Sequence, residues 1–121
     1  MQENLQSTGG QDHSSPHVAA DMLIVLCTFP DQETARRISK EIITENLAAC
    51  VNLIPGVESI YHWKGSIEQT SEVLAIFKVS VSGFKNLEAT LLEKHPYDTP
   101  EMIGIKPDQV SEGYLKWVLG G

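Results

Sequence analysis

An α+β domain, built on a four-stranded antiparallel sheet backed by two helices, is the fold the sequence predicts, and three observations carry that prediction. A short run of branched apolar residues, Met22 to Thr28, precedes a stretch with helical periodicity. Two extended segments flank a Lys64-Gly65 turn signal. A second helical stretch is followed by one last short extended segment. The order is therefore β-α-β-β-α-β with a short trailing helix, which forms two βαβ-like halves around a central hairpin. This is the split βαβ, or ferredoxin-like, arrangement, in which strand one lies between strands three and four.

Each element has its own local warrant. Met22-Leu-Ile-Val-Leu-Cys-Thr28 is apolar on both faces, so both faces should be covered and the strand should be central. Asp31 is the expected N-cap of the first helix, where Ala35, Ile38, Ile42 and Ile43 recur at helical spacing and Leu47 closes the stripe. Arg36, Arg37, Lys40, Glu41 and Glu45 fall largely outside that stripe and read as a solvated face. Strand two starts at Cys50 and resumes from Val57 to Trp63 after Pro55-Gly56, a pair that predicts a bulge. Strand three is expected over Ile67–Val79. The second helix spans Ser82 to Lys94, with Phe84, Leu87 and Leu91 on one stripe, and His95-Pro96 ends it. Met102 to Ile105 is strand four. Ser111 to Leu119 is the trailing helix, stopped by Gly120.

Residues 1–20 are rich in Gln, Ser, Gly, Asn and His and offer little to bury. They are expected to form a disordered tail ahead of a domain at 21–121, with His13 and His17 as solvated tail histidines. A length argument points to assembly. Ile67 to Val79 would extend roughly 43 Å at about 3.3 Å per residue, whereas a domain of this size is only about 33 Å across. The hairpin tip, with Tyr61 and Trp63, should overhang its own domain and need a partner surface.

Composition narrows the function. The chain has 121 residues, enough for one domain, and its net charge of −7 with a pI near 4.9 argues against nucleic acid and against an anionic membrane surface. The longest apolar run is too short to span a bilayer, and no basic, apolar leader pattern is visible, so the cytoplasm is the expected location. The two cysteines, Cys27 and Cys50, sit in apolar runs without zinc-site spacing.

Five segments together resemble one family: Val25-Leu-Cys-Thr-Phe-Pro-Asp31, Leu47-Ala-Ala-Cys-Val-Asn-Leu-Ile-Pro55, Ser59-Ile-Tyr-His-Trp-Lys-Gly65, His95-Pro-Tyr-Asp-Thr-Pro-Glu101 and Tyr114-Leu-Lys-Trp117. In that order they are similar to the CutA divalent-cation tolerance proteins, over residues 22 to 119. The resemblance implies a ferredoxin-like fold, a tightly packed homotrimer whose subunits pair long hairpins, and a bacterial or organellar-type protein linked to tolerance of copper and other divalent metals. It also implies a metal site formed by a strand-one cysteine and adjacent histidines. Here Cys27 and His95 match, while Lys94 stands where the first histidine would be.

A thiolate and an imidazole suit copper, particularly Cu(I), better than magnesium or calcium, and Met22 and Met102 are candidate soft auxiliaries. Two readings of the pair stand side by side. Cys27 and His95 hold copper, or Cys27 packs a central strand and His95 caps the second helix. The stiff loop from His95 to Glu101 defines a second constellation. With Tyr61, Trp63, Glu72, Lys78, Tyr97, Asp98, Glu101 and Trp117 it forms either an intersubunit ligand cleft or a self-satisfied seam between subunits. Enzyme readings lack support, since the loop Thr28-Phe-Pro-Asp31 has an acid and no base for a phosphate group, and neither a Gly-rich phosphate loop nor a GxSxG elbow occurs. No catalytic residue and no organic cofactor are expected. A metal-responsive homotrimer is the leading reading. A PII-like trimeric small-ligand sensor and a structural anchoring factor are the alternatives.

Overall fold

The computed structural model describes residues 17–120. Most of the expected tail, residues 1–16, lies outside the described residues. Across its junction with the domain, Ala19–Asp21 forms a single 3-10 turn closed by the Asp21 carboxylate on the Val18 N–H at 3.0 Å.

Strand β1 is Met22–Phe29, helix α1 is Gln32–Thr44, strands β2 and β3 are Cys50–Trp63 and Ser66–Ser80, helix α2 is Phe84–Lys94, strand β4 is Ile103–Ile105, and helix α3 is Glu112–Val118. A 3-10 turn, Val81–Gly83, leads into α2. The sheet runs β2-β3-β1-β4 with every pairing antiparallel. The element order, the central place of β1 and the fold class are those the sequence predicts.

Local chemistry explains the boundaries. Asp31 Oδ1 accepts from the Thr34 N–H at 2.8 Å and starts α1. Asn46 ends it in the left-handed region at φ 58°, its N–H on the Ile43 carbonyl and the Leu47 N–H on the Ile42 carbonyl, both at 3.0 Å. That pair of bonds is a Schellman closure, and it folds Leu47 back onto the core. Lys64 and Gly65 both adopt positive φ, which makes the two-residue turn whose twist matches the hairpin. Gly56, at φ 74°, takes up the register shift between Ile54 and Val57.

The core lies between the helices and one face of the sheet. Val25, Cys27 and Phe29 of β1, Ala75 and Phe77 of β3, Ala35, Ile38 and Ile42 of α1, and Leu87 and Leu91 of α2 are fully enclosed. Each large apolar side chain buried there contributes about 1.5–3 kcal/mol. The opposite face behaves differently. Met22 is covered by Leu115 and Val118 of α3, but Ile24, Leu26, Leu74 and Ile76 are only half-buried, and Ile54, Ile103 and Ile105 are exposed. The expectation that both faces of β1 are covered is thus met on one face and, on the other, at the two ends, where Met22 and Thr28 are buried. A single subunit has one helical layer, and α3 is too short to span the rest.

The hairpin outruns the sheet. β1 stops pairing with β3 at Val73, so Ser66–Glu72 and its β2 partners project beyond β1 by roughly 23 Å at about 3.3 Å per residue. Ile60, Trp63 and Ile67 on this ribbon are 59–68% exposed.

Candidate functional site

The polar groups converge where the hairpin leaves the sheet. Pro96 turns the chain out of α2, leaving His95 as its C-cap in extended conformation. This places the imidazole against the end of β1, stacked on Phe29 with centroids 4.7 Å apart and only 16° between the planes. The Tyr97 ring lies beside it as well, centroids 4.8 Å apart and tilted by 44°.

Both ring nitrogens are engaged. The Tyr97 N–H lies 3.1 Å from Nδ1 and can only donate, so Nδ1 accepts and Nε2 carries the proton, which it donates to the Thr28 carbonyl at 2.7 Å. Burial lowers the His95 pKa from its usual value, outweighing the Thr28 carbonyl and Glu72, which act in the opposite direction. The chain of bonds then continues to the hairpin. The Tyr97 hydroxyl donates to Glu72 Oε2 at 2.7 Å, and the Ser59 hydroxyl donates to Oε1 at 2.6 Å. Desolvation first, and then the Glu72 carboxylate, push the Tyr97 phenol well above its ordinary pKa. Glu72 thus ties together β2, β3 and the loop after α2.

Cys27 is enclosed at the same end of the sheet. Burial first, and the carboxylates of Glu101 and Glu72 second, push its thiol up to about 12. A metal at the pair expected to hold copper would have to displace the Cys27 thiol proton and the Tyr97 N–H from Nδ1 of His95. The Cys27 thiol stays protonated, and no nitrogen lone pair of His95 is free. Among the described residues no three His, Cys, Asp or Glu side chains are grouped to hold a metal ion. Lys94 pairs with Glu41 of α1 at 3.1 Å.

The candidate cleft residues separate into groups. Glu72 and Tyr97 are bonded, Tyr61 lies close enough to raise the Tyr97 pKa, and Glu101 close enough to act on Cys27. Asp98 and Glu101 are exposed on the same loop. Trp63 is roughly 20 Å farther out along the hairpin, and Lys78 roughly 20 Å away in the other direction, six positions from Glu72's row in each case at about 3.3 Å per residue. Lys78 donates instead to Asn52 Oδ1 and lies 4.0 Å from Cys50 Sγ. Trp117 stacks on Tyr114 in α3. Met22 belongs to the α3 cluster and Met102 packs on the main core. The sequence argument missed Ser59 as a site residue. Its signal was its place two positions before Tyr61 on the face that carries Glu72 across the hairpin.

Residues 23–120 match the model of the CutA1 divalent ion tolerance protein family. The chain belongs to the CutA family. Among its relatives, the divalent-cation tolerance protein CutA of Pectobacterium atrosepticum is 40% identical over 98 residues, 81% of this chain and 89% of that protein. The CutA of Escherichia coli is 40% identical over 107 residues, 88% of this chain and 94% of that protein. Solved CutA1 structures superpose closely. That from Oryza sativa gives a TM-score of 0.78 at 37% identity, covering 80% of this chain and 89% of its own. That from Thermus thermophilus gives 0.79 at 36%, covering 82% and 96%. The Pyrococcus horikoshii protein, solved in 3 M guanidine hydrochloride, gives 0.76 at 43%, covering 79% and 94%. CutA membership accounts for the five sequence segments as one set, since all five lie within the matched region.

Proposed function

We infer that the chain acts in divalent-cation tolerance as a homotrimer in the cytoplasm, without catalytic turnover. The observation that carries the reading is the pairing of a half-bare apolar sheet face with a hairpin that projects past its own domain, in a chain of the CutA family. Both surfaces ask for cover that another copy can give, and three copies close a symmetric ring. Family membership favours this reading over a PII-like sensor. The absence of turnover is supported by the loop Thr28-Phe-Pro-Asp31, which carries an acid and no base for a phosphate group.

Copper is the ion that Cys27 and His95 would suit by softness. Holding it on Nδ1 would require His95 to release the Tyr97 N–H, with Nε2 keeping its bond to the Thr28 carbonyl, and Cys27 to lose a proton in the core. The reading therefore places tolerance in the assembled protein rather than in a copper centre within one subunit. The test is growth on graded Cu(II) of host cells lacking the chain. Re-expressed wild type should restore tolerance, and a Trp63→Ser, Ile67→Ser chain that folds but does not assemble should not. Equal rescue by both would overturn the reading.

A further inference from the structure

The half-bare face of the sheet carries a single charge. Alternation along the strands puts Ile24 and Leu26 of β1, Leu74 and Ile76 of β3, and Ile103 and Ile105 of β4 on that face. Lys78 follows Leu74 and Ile76 along β3 and stands between Ile24 and Cys50 of the flanking strands. Among the described residues it is the one charged side chain that the four strands turn to this face over the length of β1.

Its neighbours satisfy it only in part. Lys78 is half-buried, and its ammonium donates to Asn52 Oδ1 and lies 4.0 Å from Cys50 Sγ. Both are neutral acceptors, the thiol a weak one, for a group with three donors and a full charge. Among the described residues Lys78 is in no ion pair, although the chain has 16 acidic residues against nine basic ones. In an isolated subunit water reaches the rest of the ammonium. Beneath a second layer that water is lost, and a desolvated ammonium without a counter-charge is strongly unfavourable.

We propose that Lys78 is paired by an Asp or Glu carboxylate of a second copy of the chain, the copy that covers this face. The pairing rests on the homotrimer reading and adds to it the charge that the contact must contain. Charge argues for this occupant. Each copy carries a surplus of carboxylates, and copies of net charge −7 repel one another as wholes. A cation set in the apolar contact turns that surplus into attraction at one point, through a charge-assisted hydrogen bond. A purely apolar cover would seal the isoleucines and strand the ammonium, and a basic one would repel it.

The test uses the full chain. Sedimentation velocity over a dilution series compares wild type with Lys78→Met, which keeps the length of the side chain and loses its charge, and with Lys40→Met, on the exposed face of α1. Lys78→Met should raise the concentration of half-assembly at least about tenfold, the loss expected when one member of a desolvated interfacial pair is removed, with the circular dichroism of the subunit unchanged. Lys40→Met should leave that concentration where it is in wild type. In parallel, assembled wild type is treated with a carbodiimide, which joins an amine to a carboxylate in direct contact. The covalent dimer, isolated under denaturing conditions, should yield a peptide that joins Lys78 to an Asp or Glu. Assembly of Lys78→Met at the wild-type concentration, or a wild-type assembly in which Lys78 is joined to no carboxylate of another copy, would overturn the pairing and leave the homotrimer standing. A wild type that stays monomeric would overturn the homotrimer reading, and the pairing with it.

Discussion

His95 spends its whole polar capacity on structure, and this has consequences that can be measured. The unfolded chain holds His95 near its ordinary pKa of about 6.5, while burial sets the folded value below that. Above about pH 6.5 the imidazole is neutral in both states and pH has no effect through it. As pH falls below that point the unfolded chain takes up a proton that the folded chain refuses, so stability declines until the folded imidazole is itself protonated. Urea midpoints between about pH 7 and 5 should therefore drop more in wild type than in a His95→Gln chain, the other three histidines being common to both. An equal drop would place the sensitivity elsewhere. Cys27 is similarly committed. In a Cys50→Ser chain it is the one thiol left, and with a pKa near 12 it should stay unreactive to a thiol reagent at neutral pH until the protein is unfolded. For the same reason, competition with a Cu(I) chelator should give wild type and Cys27→Ser the same copper affinity. A clear loss in Cys27→Ser would restore the cysteine as a ligand.

At the scale of the elements, the hairpin base is held by hydroxyls whose removal is a clean test. Tyr97→Phe keeps the ring on His95 but strips the bond to Glu72. It should destabilise the chain by about 1 kcal/mol and speed amide exchange in residues 57–72 more than in α1. Uniform exchange would show that the bond does not restrain the hairpin. Asp31→Ala should cost about 1 kcal/mol through the lost cap on Thr34, read as a lower urea midpoint. The cap, the Pro55-Gly56 bulge, the Lys64-Gly65 turn and the order of strands were legible in the sequence because each depends on neighbours along the chain. The Ser59–Glu72–Tyr97 junction was not, because it depends on cross-strand register past a bulge and on a loop that folds back to meet it. The state of His95 was hidden for a related reason: capping and metal binding require the same residue type, and only the positions of Thr28 and Tyr97 decide between them.

For the whole molecule, the decisive quantity is how many subunits share the hairpin. Sedimentation velocity at low micromolar concentration should give about three, the number implied by the CutA resemblance in a closed symmetric assembly. Trp63→Ser with Ile67→Ser should lower that number while leaving the far-ultraviolet circular dichroism of the subunit largely intact, since both side chains lie on the ribbon beyond the core. A monomer for wild type would sink the argument from length. The sequence conveyed this scale through a single number, the extent of strand three, and could not convey the bare second face, because apolar residues on both sides of β1 look the same whether a helix or another copy covers them.

If the proposed homotrimer forms, the projecting ribbon makes each copy's integrity depend on its neighbours. A two-stranded hairpin has little stability of its own in water, so in the proposed homotrimer the free energy that orders residues 57–72 would be supplied in trans and would rise with protein concentration. The melting temperature should climb on concentrating the sample and fall on dilution, as it does for a ligand that binds only the native state. Genetically, the same dependence predicts dominance: a copy with a damaged tip would withhold cover from intact subunits, so co-expression should depress the yield of sound assemblies beyond the damaged copy's own share.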